Sequence, residues 1–539
     1  MYYNLLRRRI LLKKESEKQT MEQNMTAIEN ISESDDGEKI FFRLTGQKKP
    51  DYENYASFIS EGKKIFFVGI GGISMCGLAE MSARLGAECF GSDQNPNRRT
   101  AYLGDELGIK VWNEHRAESV DEVEPDLVVF SRAVFDDNPE RLRAAELGIP
   151  CIERAIFLGS LLRLYDRVIN ISGTNGKSTV AAMSALMLIE SQLDPSVHLG
   201  AELINFKTTV REGRGKQLML SEACEFRRGF FHYTGDINII LNMVHDHIDS
   251  YNTPADMIDA FARFAALQAP GSTLILPTYE AGLDSFLERL EELLPGHIAS
   301  LNILYFGHED QAAPGGKKPD YSYSDLQYDD AGNPTFHVRC ADEDWGSLAL
   351  RIPGEFNVQN ALAAIAVSHL AGADRDSVAT ALLRFKGAEG RFTRTGYYNG
   401  AQVIIDYAHH PSAIEVTIDA AKHLPAKKLW ICFQPLTHSR VRGFFDAFVE
   451  ALRHEDLIMM SEIYDDRERD SSISSRDIVE RINELGGNAE YYSTNEELEA
   501  RLRTLLEPGD VLLIMGVDLR NVGDNLTGRH DHMKEVKDF

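Results

Sequence analysis

The chain has 539 residues, of which 43% are hydrophobic and 26% charged, and a formal net charge of −26. This is the composition of a folded protein with several domains, and its acidic balance argues against nucleic acid as a partner. No apolar run approaches the ~20 residues that span a bilayer, and the six cysteines, Cys76, Cys89, Cys151, Cys224, Cys340 and Cys432, lack metal-like spacing, so a cytoplasmic chain with free thiols and no membrane partner is expected.

Residues 1–60 are polar and poor in periodic apolar signal, which predicts a flexible extension. Their start, "MYYNLLRRRILLKKESEK", lacks the apolar core of a secretory signal. Residues 61–163 then alternate strand and helix. The stretch "KKIFFVGIGGISMCGLAE" puts Gly69, Gly71 and Gly72 in a turn suited to a diphosphate, with Asp93 at the end of the next strand for ribose or base contacts. Ser74 stands where a GxGxxG pattern needs glycine, and the turn alone would also fit a nicotinamide site.

Residues 164–393 form a second unit. In "VINISGTNGKST" an apolar strand runs into Gly173, Thr174, Asn175, Gly176, Lys177, Ser178 and Thr179 and then turns helical, the context of a phosphate loop. Glycines let the amides turn inward, Lys177 supplies a charge to phosphate and Ser178 a hydroxyl to Mg2+. Ile171 replaces the first glycine of the common pattern. Glu222 lies just beyond the strand "QLML" and His245, Asp246, His247 and Asp249 beyond "INIILNMV". Carboxyl ends of parallel strands are where ligands sit, so these side chains are candidates to hold Mg2+ beside a nucleotide; a helix-capping glutamate and solvated histidines are the plainer alternative. The segment "HEDQAAPGGKKPDYSYSD" reads as an exposed polar loop.

A third unit, 394–539, again alternates strand and helix. "IDYAHHPSAIE" sets Asp406, Tyr407, His409 and His410 at a strand-to-helix turn, and Arg440 follows "FQPLTHS". Three α/β units with parallel sheets are expected.

Taken in order, "GIGGISMCGLAE", "GTNGKST", "SEACEF", "DHID", "GEFNVQNALAA" and "DYAHHPSAIE" resemble the signatures of the Mur ligase family, most strongly those of its alanine-adding branch. The resemblance runs from about Lys63 to Gly516 and implies a Rossmann-like UDP-binding domain, a central P-loop ATPase domain and a C-terminal Rossmann-like domain. It implies ATP-dependent amide formation between an amino acid and the carboxylate of UDP-N-acetylmuramate in peptidoglycan precursor synthesis, by a monomer or homodimer using ATP and Mg2+. Lys177, Glu222 and His247 would then be catalytic, with Ser178, Glu222 and His247 at the metal. Asn357 and Asn360 would lie near adenine, Asp406 at the ribose and Arg391 at a hinge. His409, His410 and Arg440 would orient the carboxylate-bearing substrates, and Gly71, Ser74 and Asp93 would belong to the UDP site. The sequence departs from the branch at Asn175, Phe356, Leu436, His438 and the strand end "MGVDLRN". A family member with another amino-acid or peptide acceptor, or a non-catalytic nucleotide-binding paralogue, is therefore the alternative.

Overall fold

A computed structural model describes residues 36–201, 209–246, 250–329, 332–388, 390–465 and 472–529. The chain divides into a short unit, Met1–Asp51, and a large one, Tyr52–Phe539. The described part of the short unit includes a helix over Asp36–Thr45.

The described residues of the large unit form three sheets. The first comprises β1 (Lys64–Val68), β2 (Glu88–Ser92), β3 (Lys110–Trp112), β4 (Leu127–Phe130) and β5 (Cys151–Glu153), all parallel in the order β3-β2-β1-β4-β5. Strand order reverses at β1, so the turn after it opens at the switch point where such sheets bind ligands.

The second sheet has ten strands. Its centre is β6 (Val168–Ser172), flanked by β9 (Met219–Ala223) and β10 (Ile237–Ile240). Every residue of these three strands is buried, as expected for parallel strands covered on both faces. Beyond β9 lie β7 (Ser196–His198) and β8 (Val210–Arg211); beyond β10 lie β11 (Thr273–Pro277), β12 (Asn302–His308), β13 (Tyr321–Tyr328), β14 (Pro334–Cys340) and β15 (Glu343–Ala349). The last three form an antiparallel meander. The end of the segment read as an exposed loop is thus part of β13. Tyr321 and Tyr323 are buried there, and their hydroxyls find His369 Nδ1 at 3.0 Å and Glu355 Oε1 at 2.7 Å, which lets a polar-looking run enter a core.

The third sheet, β16 (Thr393–Tyr398), β17 (Ala401–Asp406), β18 (Leu429–Phe433), β19 (Ile458–Ser461), β20 (Ala489–Tyr492) and β21 (Val511–Met515), runs β16-β17-β21-β18-β19-β20 and is parallel except for β16.

The stretch read as an extension reaching residue 60 is corrected at its end. Residues Tyr52–Ser57 form a helix. Tyr52 is 1% exposed; its hydroxyl shares a hydrogen bond with His232 Nδ1 at 2.8 Å, and the Arg163 guanidinium lies 3.6 Å from its ring centre. A tyrosine satisfied on both its polar and its aromatic side anchors this segment to the rest of the large unit.

Two buried histidines make folding pH-sensitive. Burial, reinforced by Arg154, lowers His198 to about 4. Burial, reinforced by Arg132, Arg163 and Arg154, lowers His232 to about 3. Both imidazoles fold neutral, so below their unfolded pKa the unfolded chain binds more protons and stability falls with pH. This contribution is complete above pH ~6.5 and is lost as pH falls toward 4. Scanning calorimetry should show the Tm advantage of wild type over His198→Asn shrinking between pH 7.5 and 4.5; a constant gap would contradict neutral burial.

Candidate active site

Ser172 closes β6, and the next residues must reverse direction with their amides facing inward. Gly173 and Gly176 take φ of 133° and 86°, values that side chains rarely tolerate; a Cβ on Gly173 would stand 2.9 Å from that of Leu241. The helix Lys177–Glu190 starts at Gly176 without a side-chain cap, and Val180 N bonds Gly176 O at 2.9 Å. The amides of the first turn therefore point outward as donors for an anion. Asn242 fixes the loop: its Oδ1 accepts Asn175 N at 2.9 Å and its Nδ2 donates to Asn175 O at 3.0 Å. The Thr174 hydroxyl donates to Val244 O at 2.7 Å. Thr179 is buried in the helix behind. Asn360 lies against the loop, its Oδ1 2.6 Å from where a Cβ on Gly176 would be, while Asn357 is buried and donates to Pro353 O at 2.7 Å.

The Lys177 ammonium donates to the carbonyls of Gly173 and Thr174 and to both oxygens of Glu225, at 2.8 and 3.1 Å. Burial works against its charge most strongly, but Glu225, joined by Cys224 and Glu222, raises its pKa above the ordinary value. Glu222, placed within β9 rather than beyond it, accepts Ser178 Oγ at 3.1 Å and Gly200 N at 2.6 Å. Burial raises its pKa, opposed by the Gly200 amide, Lys177, Ser178 and Arg391. Two cis ligands of octahedral Mg2+ stand about 2.9 Å apart, so the Ser178–Glu222 pair fits that ion. Among the described residues no three His, Cys, Asp or Glu side chains form a metal cage. Mg2+ rarely needs one, because waters and phosphate oxygens complete its shell. His247 and Asp249 lie outside the described residues.

The third sheet supplies the opposite wall. Asp406 ends β17 and is buried; its Oδ2 accepts Phe392 N at 2.7 Å and its Oδ1 Ala408 N at 2.6 Å. Burial raises its pKa and Arg391 opposes that most. The Arg391 charge thus favours the ionised form of both Glu222 and Asp406, one from each sheet; its guanidinium lies 4.8 Å from the Tyr407 ring centre. His409 Nδ1 is 2.7 Å from Tyr407 O. A carbonyl only accepts, so Nδ1 carries the proton and Nε2 keeps its lone pair. Burial, reinforced by Arg440, holds this imidazole neutral. His410 caps the helix Pro411–Lys422 through Nδ1. Arg440 is not open to solvent: its Nε and Nη2 meet Asp246 Oδ1 at 3.0 and 2.8 Å, with the residues 6% and 5% exposed. Just before Arg440 the backbone is strained, with Thr437 at φ 58°.

Among the departures from the family pattern, His438 is engaged by Asp465 Oδ2 at 2.9 Å, and Leu436 is buried. Leu519 of "MGVDLRN" sits in the core rather than in the cleft, and Phe356 packs on the third unit's core.

At the first sheet the glycine amides turn inward. Gly69 N and Ile70 N bond Ser92 O at 2.8 and 3.0 Å, and Gly72 N bonds Gly69 O at 3.2 Å. Gly71 N bonds Asp93 Oδ2 at 2.8 Å, and Asp93 Oδ1 accepts Asn95 N at 2.9 Å. Asp93 therefore braces the turn. The outward donors are in the first turn of the helix Ile73–Arg84, which also lacks a side-chain cap. Ser74 Oγ there receives Arg154 Nη1 at 3.0 Å and lies 3.1 Å from His198 Nε2 in β7, joining the first sheet to the second.

Asn242 and Glu225 were not singled out in the sequence, and Asp246, read there as a candidate for Mg2+, is instead paired with Arg440. The one local signal is that "SEACEF" offers a second glutamate three residues after the first.

Comparison with known proteins accounts for this arrangement. The Mur ligase family catalytic domain matches residues 64–166, the Mur ligase middle domain 171–368, and the Mur ligase glutamate ligase domain 390–517. The chain is 35% identical over 465 residues to UDP-N-acetylmuramate–L-alanine ligase of Lachnospira eligens, covering 86% of this chain and 97% of that one. The same-named protein of Alkaliphilus metalliredigens is 35% identical over 454 residues, covering 84% and 94%. The crystal structure of UDP-N-acetylmuramate-alanine ligase from Thermotoga maritima superposes with a TM-score of 0.70 at 28% identity, over 87% of this chain and 99% of that one. With three domain models matched in order and such relatives matched over almost their whole length, the chain belongs to the Mur ligase family.

Proposed function

We propose that this protein is an ATP-dependent ligase joining L-alanine to the carboxylate of UDP-N-acetylmuramate in peptidoglycan precursor synthesis. The observation that carries the reading is the pair of uncapped helix starts, Gly72 and Gly176, each following the switch-point or central strand of its sheet. One would hold the diphosphate of a UDP-sugar, the other the phosphates of ATP. The names of the relatives supply the substrates.

The chemistry suits the geometry. A carboxylate oxygen of the sugar acid attacks the γ-phosphorus, the bond to the β-phosphate oxygen breaks, and ADP leaves. The neutral amine of the amino acid attacks the resulting acyl phosphate; the carbon–oxygen bond breaks, phosphate departs, and the amine proton is lost. Lys177 and the first-turn amides balance charge on the phosphoryl oxygens. Mg2+, held by Ser178 and Glu222, would neutralise phosphate charge when bound. Arg391 and Asp406 position nucleotide at the hinge, and His409 offers the lone pair of Nε2 toward the acceptor. Closure of the third sheet over the second excludes water that would hydrolyse the acyl phosphate.

Phosphate release with ATP, UDP-N-acetylmuramate and L-alanine should fall by roughly a hundredfold or more in Lys177→Ala, because a charge on the transferring group is removed; unchanged turnover would make the loop structural. Glu222→Gln should shift the Mg2+ concentration for half-maximal rate upward by about tenfold, read from a metal titration; an unshifted titration would remove Glu222 from the metal site. A panel of amino acids in the same assay should give the highest rate with L-alanine, and a higher rate with another acceptor would reassign it.

A further inference from the structure

Glu225 has no part in the reaction as written, yet it is 0% exposed and lies 2.8 Å from the Lys177 ammonium. An ammonium has three N–H donors. Here they are spread over the Gly173 and Thr174 carbonyls and the two Glu225 oxygens. A phosphate oxygen reaching Lys177 must displace one of these partners. The carboxylate is the anionic one, so it is the partner that an incoming phosphate oxygen both repels and replaces like for like. It cannot follow the lysine. The backbone carbonyl of Glu225 accepts from the Tyr251 hydroxyl and from Arg228 N at 2.8 Å. The chain then passes through Arg227 and Arg228 at φ 47° and 61°, two consecutive left-handed side-chain-bearing residues held in place by Arg132 Nη1 on Arg227 O at 2.6 Å.

We propose that Glu225 is the resting counter-ion of Lys177 and competes with nucleotide phosphate for it, so that it sets nucleotide affinity as a positioning residue without touching the reacting atoms. The inference rests on the reading of the loop as an ATP site. In the empty enzyme the pair keeps Lys177 charged and lodged at the base of the loop. Nucleotide binding breaks the pair, and its re-formation helps to expel ADP. Glu225 therefore lowers affinity for both the nucleotide substrate and its product, an effect opposite in sign to that of a residue that merely supports the fold.

The test is calorimetric titration of Mg2+–ADP into the full-length protein, its Glu225→Gln and Lys177→Ala variants, and the double variant, each checked for folding by its thermal transition. Glu225→Gln is expected to bind ADP about tenfold more tightly than wild type, the value of one charge-assisted hydrogen bond no longer broken. In the Lys177→Ala background the same substitution is expected to give no such gain. Unchanged or weaker binding by Glu225→Gln overturns the proposal, as does an equal gain in both backgrounds, which would mean direct repulsion of phosphate. Should Glu225→Gln fail to fold, Glu225→Asp, which draws the carboxylate back by one methylene, must tighten binding in smaller measure, and a weakening there overturns it equally. Wild type that binds no ADP would instead sink the ligase reading itself.

Discussion

A largely buried ammonium beside buried carboxylates organises this enzyme. Lys177 is paired with Glu225, while the neighbouring Ser178 hydroxyl donates to Glu222. Each charge would be costly alone in a medium of low polarity, and together they are tolerable only while their geometry is kept. The sheet keeps it: Ser172 and Glu222 come from paired strands, β6 and β9, and Asn242, just after β10, grips the loop between them. The same low polarity that makes the arrangement demanding strengthens every interaction with an incoming phosphate.

That cluster is useful only if two further sheets face it. The first does so through Ser74, His198 and Arg154, which place the helix start after Gly72 beside β7 of the second sheet. The third does so through the buried pair of Asp246 and Arg440, which come from the loop after β10 and the short helix His438–Gly443 after β18. Breaking such a pair by removing one partner typically costs about 3–5 kcal/mol, so the pair favours the apposed arrangement in which Arg391 acts on both Glu222 and Asp406.

Much of this was legible in the sequence because the signals are local. A strand, a glycine bend and a helix within "VINISGTNGKST" are enough to place Gly173, Lys177 and Ser178, and the alternation of apolar runs gave the three α/β units. Partners distant along the chain were not legible. Asn242 stands 67 residues from Asn175, Glu225 48 from Lys177, and Arg440 194 from Asp246, and nothing in the residue type tells which distant group each meets. The β13 strand was hidden for another reason: its alternation of tyrosine and serine looks polar until the hydroxyl partners His369 and Glu355 are known. Likewise, the sequence did not tell that Asp93 would brace the turn by accepting Gly71 N.

The central claim is that a sugar-borne carboxylate and the phosphate held by the Lys177 loop meet in one closed cleft. Isotope transfer tests it most directly. With UDP-N-acetylmuramate labelled with 18O in its carboxylate, turnover with ATP and L-alanine should release inorganic phosphate carrying one labelled oxygen, as direct attack on the γ-phosphorus requires. Unlabelled phosphate formed in step with amide product would contradict the account.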